Sequence, residues 1–199
     1  MQPSRPTMFS PYPRRRAILA ALLCAFGAAL AVAVFVGSAL AANNLLANSS
    51  FEKDSNADGI PNNWTLNNAS GADKRVCNQS YHGACSFKMV GAGAEIFIHQ
   101  DLDLAGSGGD SFKLTFWAKT KEIDLDTTGL LKAFVIVYFT GGGTESFGLN
   151  ISPGTSPWTK YVLELAASQD YNFIVVELFQ DDLAGGKVWV DKVKLAPNP

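Results

Sequence analysis

The chain has 199 residues, with 16 Lys and Arg against 18 Asp and Glu, so its formal net charge is only −2. Four arginines and no acid lie in the first 41 residues, which leaves the other 158 with 12 basic and 18 acidic side chains, a net charge of −6. An acidic domain argues against nucleic acid as a partner, because phosphate contacts need clustered Lys and Arg. Two His and three Cys also exclude the usual kind of zinc cluster.

The first 41 residues have the pattern of a secretory signal peptide. Three arginines at 14–16 precede an apolar run over residues 17–36, and small residues follow. We expect cleavage after Ala41, which leaves residues 42–199 as one secreted or cell-surface domain. An uncleaved signal anchor is the alternative, since an apolar run of this length can span a bilayer. In that case this N-terminal segment would be the protein's contact with the membrane.

The next informative segment, residues 54–59, reads Asp-x-Asn-x-Asp-Gly. Oxygen ligands at positions 1, 3 and 5, here Asp54, Asn56 and Asp58, followed by a turn glycine, suit a hard cation such as Ca²⁺. An EF-hand would have Glu at position 12, where this chain has Thr65, so the motif is not an EF-hand. A tight turn held by Asp and Asn side chains without metal is the alternative.

Two cysteines, Cys77 and Cys85, remain after residue 41. Their spacing of eight positions in an exported domain predicts a disulfide. Closing so short a loop stabilises the folded state by ~2–3 kcal/mol on the chain-entropy estimate. A redox or metal pair is disfavoured, because the spacing is not Cys-x-x-Cys and no His-rich cluster is near.

Strand patterns dominate the rest of the chain, and no segment combines helical spacing of apolar residues with caps. Residues 111–119 alternate cleanly, with Phe112, Leu114 and Phe116 on one face and Lys113 and Trp117 on the other. Turn-forming glycines and prolines separate the elements. The pattern predicts an all-β jelly roll or β-sandwich of two antiparallel sheets. The other predicted strands are residues 85–90, 95–100, 132–140, 158–165, 171–180 and 187–195.

The strands at 132–140 and 171–180 are apolar on both faces. One face of each belongs to the core, and the second face is too apolar for a plain solvent surface. Either a loop or the N-terminal segment covers this second face, or it forms an aromatic-lined groove for a ligand.

Three segments together resemble the carbohydrate-binding modules of families 4, 9 and 22. Residues 44–52 (Asn-Leu-Leu-Ala-Asn-Ser-Ser-Phe-Glu), followed by Gly-Ile-Pro at 59–61 and by Trp64, are similar to the start of these modules. Residues 111–119 are similar to their central strand, and residues 186–195 to their last strand. The resemblance covers the whole exported domain and implies a galactose-binding-like jelly-roll β-sandwich.

The resemblance also implies a buried structural Ca²⁺. In the family, the Glu after the first Phe and the Asp of the last strand help to hold the ion, and these positions are Glu52 and Asp191 here. The carbonyl of Ser50 would complete the shell. A cation would relieve the unfavourable burial of an unpaired carboxylate at Asp191, unless Asp191 faces water at a strand end. The sequence leaves open whether this cluster or the loop at 54–59 holds the metal.

Sugar recognition in this family uses aromatic rings against the apolar faces of sugars, with polar groups for the hydroxyls. Alternation along the strands gives the candidates for such a groove. They are Trp117, Tyr138, Phe173, Glu177 and Phe179, with Lys113 near the edge.

Residues 122–126 (Glu-Ile-Asp-Leu-Asp) place three carboxylates at i, i+2 and i+4 of a strand. They resemble the catalytic strand of laminarinase-type jelly-roll glycosidases, in which two carboxylates flank the scissile bond. Asp126 stands where the second Glu belongs, and its shorter side chain changes the separation on which the mechanism depends. We therefore expect a solvated acidic segment without catalysis.

The sequence thus predicts an exported, calcium-stabilised, non-catalytic domain that binds a polysaccharide or glycan through an aromatic groove. The alternative is a structural protein of the cell surface, in which a protein partner or a second copy covers the same apolar face. A jelly-roll glycosidase ranks third.

Overall fold

The computed structural model of the protein describes residues 43–68, 71–91 and 95–198, apart from the side chains at 126–128 and 182–184. The predicted signal peptide or anchor, with its apolar helix and cleavage site, lies outside the described residues. In the described part, no helix is long and apolar enough to cross a membrane. The strands found there are β1 Thr65–Asn67, β2 Lys74–Val76, β3 Ser86–Val90, β4 Ile96–Leu102, β5 Ser111–Phe139, β6 Thr144–Asn150, β7 Gly154–Ala166 and β8 Tyr171–Pro197.

Two long strands, β5 and β8, belong to both layers of a β-sandwich. Sheet I has the order β1, β4, residues 171–181 of β8, residues 130–139 of β5, and β6. Sheet II has the order β2, β3, residues 187–197 of β8, residues 111–121 of β5, and β7. All neighbouring strands are antiparallel. The predicted all-β sandwich of two antiparallel sheets is therefore confirmed, with five strands in each sheet.

Bulges mark the place where β5 and β8 pass from one sheet to the other. The pairing of β5 with β8 shifts register between Lys121 and Asp124 and again between Leu125 and Leu130. Glu122 has a positive φ of 53° and Gly186 one of 95°. A Cβ at Gly186 would collide with the carbonyl oxygen of Glu122, so the two strands approach this closely because the residue is glycine.

The hydrophobic core fills the space between the sheets. Alternating residues of β5 and β8 point inward, and the rings of Phe51 and Trp64, whose centroids are 5.1 Å apart, belong to the same core together with Leu46. This leaves the intervening side chains of the same strands on the two outer faces. Completely buried inward-facing residues include Leu114, Phe116, Val135, Val137, Ile174 and Leu178.

Candidate functional site

The outer face of sheet I carries paired aromatic rings. Tyr138 of β5 lies opposite Phe173 of β8, and their ring centroids are 5.6 Å apart at 72°. The rings of Phe134 and Phe179 are 5.8 Å apart at 77°. Both pairs have the edge-to-face geometry that aromatic rings prefer. Tyr138 keeps 38% of its surface exposed. We call this surface the aromatic face; its rings are Phe97, Phe134, Tyr138, Phe173 and Phe179.

Polar side chains flank these rings. Glu177 lies opposite His99 of β4 on one side and opposite Phe134 of β5 on the other. Burial raises the pKa of Glu177 above its ordinary value, and the negative charge of Glu95 raises it further. The Nζ of Lys132 lies 5.8 Å from the centroid of the Phe134 ring. The aromatic face therefore combines apolar surface with hydrogen-bonding groups.

A glycine in β6 makes room for one of the rings. Gly148 lies opposite Phe134 in the register between β6 and β5. A Cβ at this position would lie 2.9 Å from the Cε1 of Phe134, closer than side chains approach in practice. The ring of Phe134 thus extends over the backbone of β6 because residue 148 has no side chain.

Two of the predicted groove residues lie on the other sheet. Trp117 and Lys113 are on the outer face of sheet II, because residues 111–121 and 130–139 of β5 belong to different sheets. Trp117 stacks on Tyr81 with centroids 3.7 Å apart, and the Nζ of Lys113 lies 2.7 Å from the Oε1 of Glu164. The expectation that they join the other candidates on one face is wrong. The candidates that do share the aromatic face are Tyr138, Phe173, Glu177 and Phe179.

The groove candidates predicted from the sequence do not include Phe97, Phe134 and His99. Phe134 could have been found, because it alternates in phase with Tyr138. Phe97 and His99 required the pairing of β4 with β8, which puts them beside Phe179 and Glu177. No local pattern in the sequence reveals that pairing.

Glu52 and Asp191 are the carboxylates expected to share a calcium ion. Both accept hydrogen bonds from the backbone of the same loop, residues 81–85. The Oδ2 of the buried Asp191 accepts hydrogen bonds from the backbone N–H groups of Tyr81 and His82, both at 2.8 Å. The Oε1 of Glu52 accepts from the N–H groups of Ala84 at 3.0 Å and Cys85 at 3.2 Å. The two carboxylates therefore position residues 81–85.

The predicted disulfide is confirmed and closes this loop. Cys77 and Cys85 are bonded, with an S–S distance of 2.07 Å. The disulfide and the two carboxylates together set the position of Tyr81, which covers one side of the Trp117 ring.

The groups around Asp191 have opposing effects on its pKa. Burial raises the pKa of Asp191 above its ordinary value, three backbone N–H donors act in the opposite direction, and the negative charge of Glu52 adds to the rise. The guanidinium of Arg75 donates to the carbonyl oxygens of Phe51 and Glu52, both at 2.6 Å. Ser50, the third expected ligand, lines a cleft beside Tyr81. Most polar groups here thus have partners within the protein.

The Asp-x-Asn-x-Asp-Gly segment folds as a turn held by its own side chains. The Oδ2 of Asp54 accepts from the N–H of Gly59 at 3.1 Å, and Asn56 donates to Asp58 at 2.8 Å. The Oδ1 of Asp54 is buried and has no hydrogen-bond partner. Across the described ranges, no group of three or more His, Cys, Asp and Glu side chains is arranged to hold a metal.

The acidic segment at 122–126 lies at the bend between the sheets. Glu122 and Asp124 are exposed, Ile123 is buried, and the side chain of Asp126 is outside the described residues. Register shifts on both sides of Ile123 interrupt the regular pairing. The segment therefore lies in an irregular part of the two sheets.

Comparison with solved structures identifies the fold. The enzymatically active domain of tailspike protein 4 of bacteriophage CBA120 matches with a TM-score of 0.59 and 18% identity, over 78% of this chain and 21% of that chain. This chain thus spans about a fifth of the tailspike chain. A family 61 carbohydrate-binding module solved with β-1,4-galactotriose matches with a TM-score of 0.54 and 17% identity, over 78% of this chain and 99% of that chain.

The family 22 xylan-binding domain of Xyn10C from Paenibacillus barcinonensis also matches, with a TM-score of 0.54 and 17% identity, over 78% of this chain and 95% of that chain. No family model and no curated protein sequence matches this chain. Structural neighbours therefore include both binding modules and parts of enzymes. Over most of its length the chain has the fold of carbohydrate-binding modules, as the resemblance implied.

Proposed function

We propose that the protein is an exported, non-catalytic domain that binds a polysaccharide across the aromatic face of sheet I. The observation that carries this proposal is the set of paired aromatic rings on the outer face of sheet I, which is not part of the hydrophobic core between the sheets. The apolar faces of sugar rings pack against aromatic side chains, and hydroxyl groups need hydrogen-bonding partners beside them. Tyr138 and Phe173 offer the first kind of contact, and Glu177 and His99 offer the second.

The structural neighbours suggest which sugars to test first. The family 61 module was solved with β-1,4-galactotriose, and the family 22 domain is a xylan-binding domain. β-1,4-Galactotriose and an unsubstituted xylan backbone are uncharged, which suits a surface built from phenyl and phenol rings with few charges. Neutral β-1,4-galactan and xylan are therefore the first probes for the aromatic face.

A glycan array with the purified protein, in the presence and absence of Ca²⁺, tests this function. We expect retention of a neutral polysaccharide by a monomer, since the exposed rings are then free to bind it. The absence of any bound glycan, together with an oligomer in which Tyr138 and Phe173 become protected from solvent, would contradict the proposal. That outcome would favour the structural role at the cell surface, because a second copy or a protein partner would then cover the same rings.

We also propose a structural Ca²⁺ bound either by the turn at residues 54–59 or by Glu52 and Asp191. Two features support it: the Oδ1 of Asp54 is buried without a partner, and Glu52 and Asp191 both bind the backbone of residues 81–85, where the negative charge of Glu52 adds to the raised pKa of Asp191. A cation at the turn would give the Oδ1 of Asp54 a partner, and a cation at the other site would reduce the repulsion between Glu52 and Asp191. Asp54 is the better candidate ligand, since the oxygens of Asp191 already accept three N–H groups.

Melting temperatures with Ca²⁺ and with a chelator test the metal proposal and separate its two possible sites. We expect the chelator to lower the melting temperature of the wild-type protein and to have no effect on Asp54→Ala. Glu52→Gln should keep its sensitivity to the chelator if Asp54 is the main ligand. An unchanged melting temperature of the wild-type protein on chelation would show that no structural calcium is bound.

A further inference from the structure

Lysines are concentrated on the outer face of sheet II, although the exported part of the chain has a net negative charge. Lys88, Lys119, Lys121 and Lys187 line a groove of about 380 Å³ whose other walls include Gln79 and Trp189. Lys74 of β2 lies next to this groove, opposite Lys88 of β3. We call these five lysines and the space between them the lysine groove.

The strand register places lysines of the groove directly opposite one another. Lys74 pairs with Lys88, and Lys121 pairs with Lys187. Like charges in direct cross-strand positions destabilise a sheet. Burial lowers the pKa of Lys88, and the charges of Lys74 and Lys187 lower it further, while Asp73 acts against this. The isolated protein therefore carries unfavourable positive charge at this face.

Few acidic groups offset this charge. The Nζ of Lys121 lies 3.9 Å from the Oε1 of the exposed Glu122, and the Nζ of Lys119 donates a hydrogen bond to the Oε1 of Gln79. Of the carboxylates that the structure describes, none lies within 4.0 Å of Lys74, Lys88 or Lys187. By contrast, Lys113 on the same sheet has Glu164 at 2.7 Å.

The lysines are ordered in a row across the sheet. Lys88 lies opposite Trp189, and Trp189 lies opposite Lys119, so that a row from Lys74 to Lys119 crosses four strands. With strands about 4.8 Å apart, the row is about 14 Å long. A row of that length fits an extended chain that carries negative groups at intervals.

We propose that the lysine groove is a second binding site, separate from the aromatic face, for a polysaccharide that carries carboxylate groups, such as a polyuronate. Its carboxylates would neutralise the opposed lysine pairs, whose charge the protein's own acidic groups offset only in part.

The structure favours this partner over nucleic acid. Trp189 is only 8% exposed and has the Nζ of Lys119 5.8 Å from its ring centroid, so it cannot serve as a platform on which bases stack. The net charge of −6 over residues 42–199 repels duplex nucleic acid, with its two closely spaced rows of phosphates, more strongly than it repels a polyuronate, whose charges are further apart.

Affinity electrophoresis in gels containing polygalacturonate tests the site. We expect the wild-type protein to be retarded at low salt and progressively less as NaCl is added. The double variant Lys88→Gln/Lys187→Gln should bind at least tenfold more weakly. Lys113→Gln is the matched control on the same sheet and should bind like the wild type, because Glu164 already neutralises that lysine.

Two further measurements keep this test separate from folding and from the aromatic face. The double variant should melt no lower than the wild type, since relief of the lysine repulsion compensates for the lost charges, and it should bind neutral glycans unchanged. Equal binding of polygalacturonate by the double variant and the wild type would overturn the proposal. So would binding of single-stranded or duplex DNA as tight as that of polygalacturonate at the same salt concentration.

Discussion

Tyr138→Ala is the substitution that most directly perturbs the aromatic face. Tyr138 is 38% exposed, which for a side chain of about 200 Å² leaves about 80 Å² for contact with a sugar. At about 25 cal/mol per Å², burying that area contributes about 2 kcal/mol, or about thirtyfold in the dissociation constant. Calorimetric titration with the neutral oligosaccharide that the glycan array selects measures this change.

Two variants control for this prediction. Tyr138→Phe keeps the ring and should lose far less affinity than Tyr138→Ala. Val162→Ala removes an apolar side chain that is 45% exposed but lies on sheet II, opposite Thr115, and should bind like the wild type. If Tyr138→Ala binds as tightly as the wild type, or if Val162→Ala weakens binding as much, the sugar does not lie on the aromatic face.

Three further predictions concern stability and the shape of the binding surface. Replacing Cys77 and Cys85 by Ser should lower the free energy of unfolding by ~2.5 kcal/mol on the chain-entropy estimate, measured as a melting temperature about 5–10 °C lower; an unchanged value would mean that the carboxylates alone hold the loop. Gly148→Ala should displace the ring of Phe134 and weaken glycan binding measured by calorimetry, and unaltered affinity would show that this ring does not contact the sugar. Because the raised pKa of Glu177 makes its ionised form unfavourable in the folded state, the wild-type protein should gain stability as the pH falls through that raised pKa towards the ordinary value of 4.5. Glu177→Gln should therefore unfold at higher urea concentration than the wild type at pH 7, with a smaller difference at pH 4; a lower midpoint at pH 7 would contradict this.

Alternation of inward and outward side chains along a strand depends only on neighbouring residues, so it could be predicted from the sequence. The inward positions of residues 111–119 and the disulfide between Cys77 and Cys85 are both found in the structure. Alternation cannot show which sheet a strand segment joins, however. Trp117 was grouped with Tyr138 for this reason, although β5 carries the two residues into different sheets.

The partners of Asp191 could not be predicted from the sequence. Its backbone donors at Tyr81 and His82 are 110 and 109 positions away. The short strands β1 and β2, with three residues each, were also missed, since so few residues carry no detectable alternation. The lysine groove could not be predicted from the sequence, because the net charge is negative and does not show which lysines become neighbours when the strands pair.

The most direct test of the central claim is a backbone amide chemical-shift map recorded while the selected neutral oligosaccharide is titrated into the protein. The account predicts that the largest changes lie on β4, on residues 130–139 of β5 and on residues 171–181 of β8, which form the aromatic face. Changes confined to sheet II, or to the loop closed by the disulfide, would contradict it.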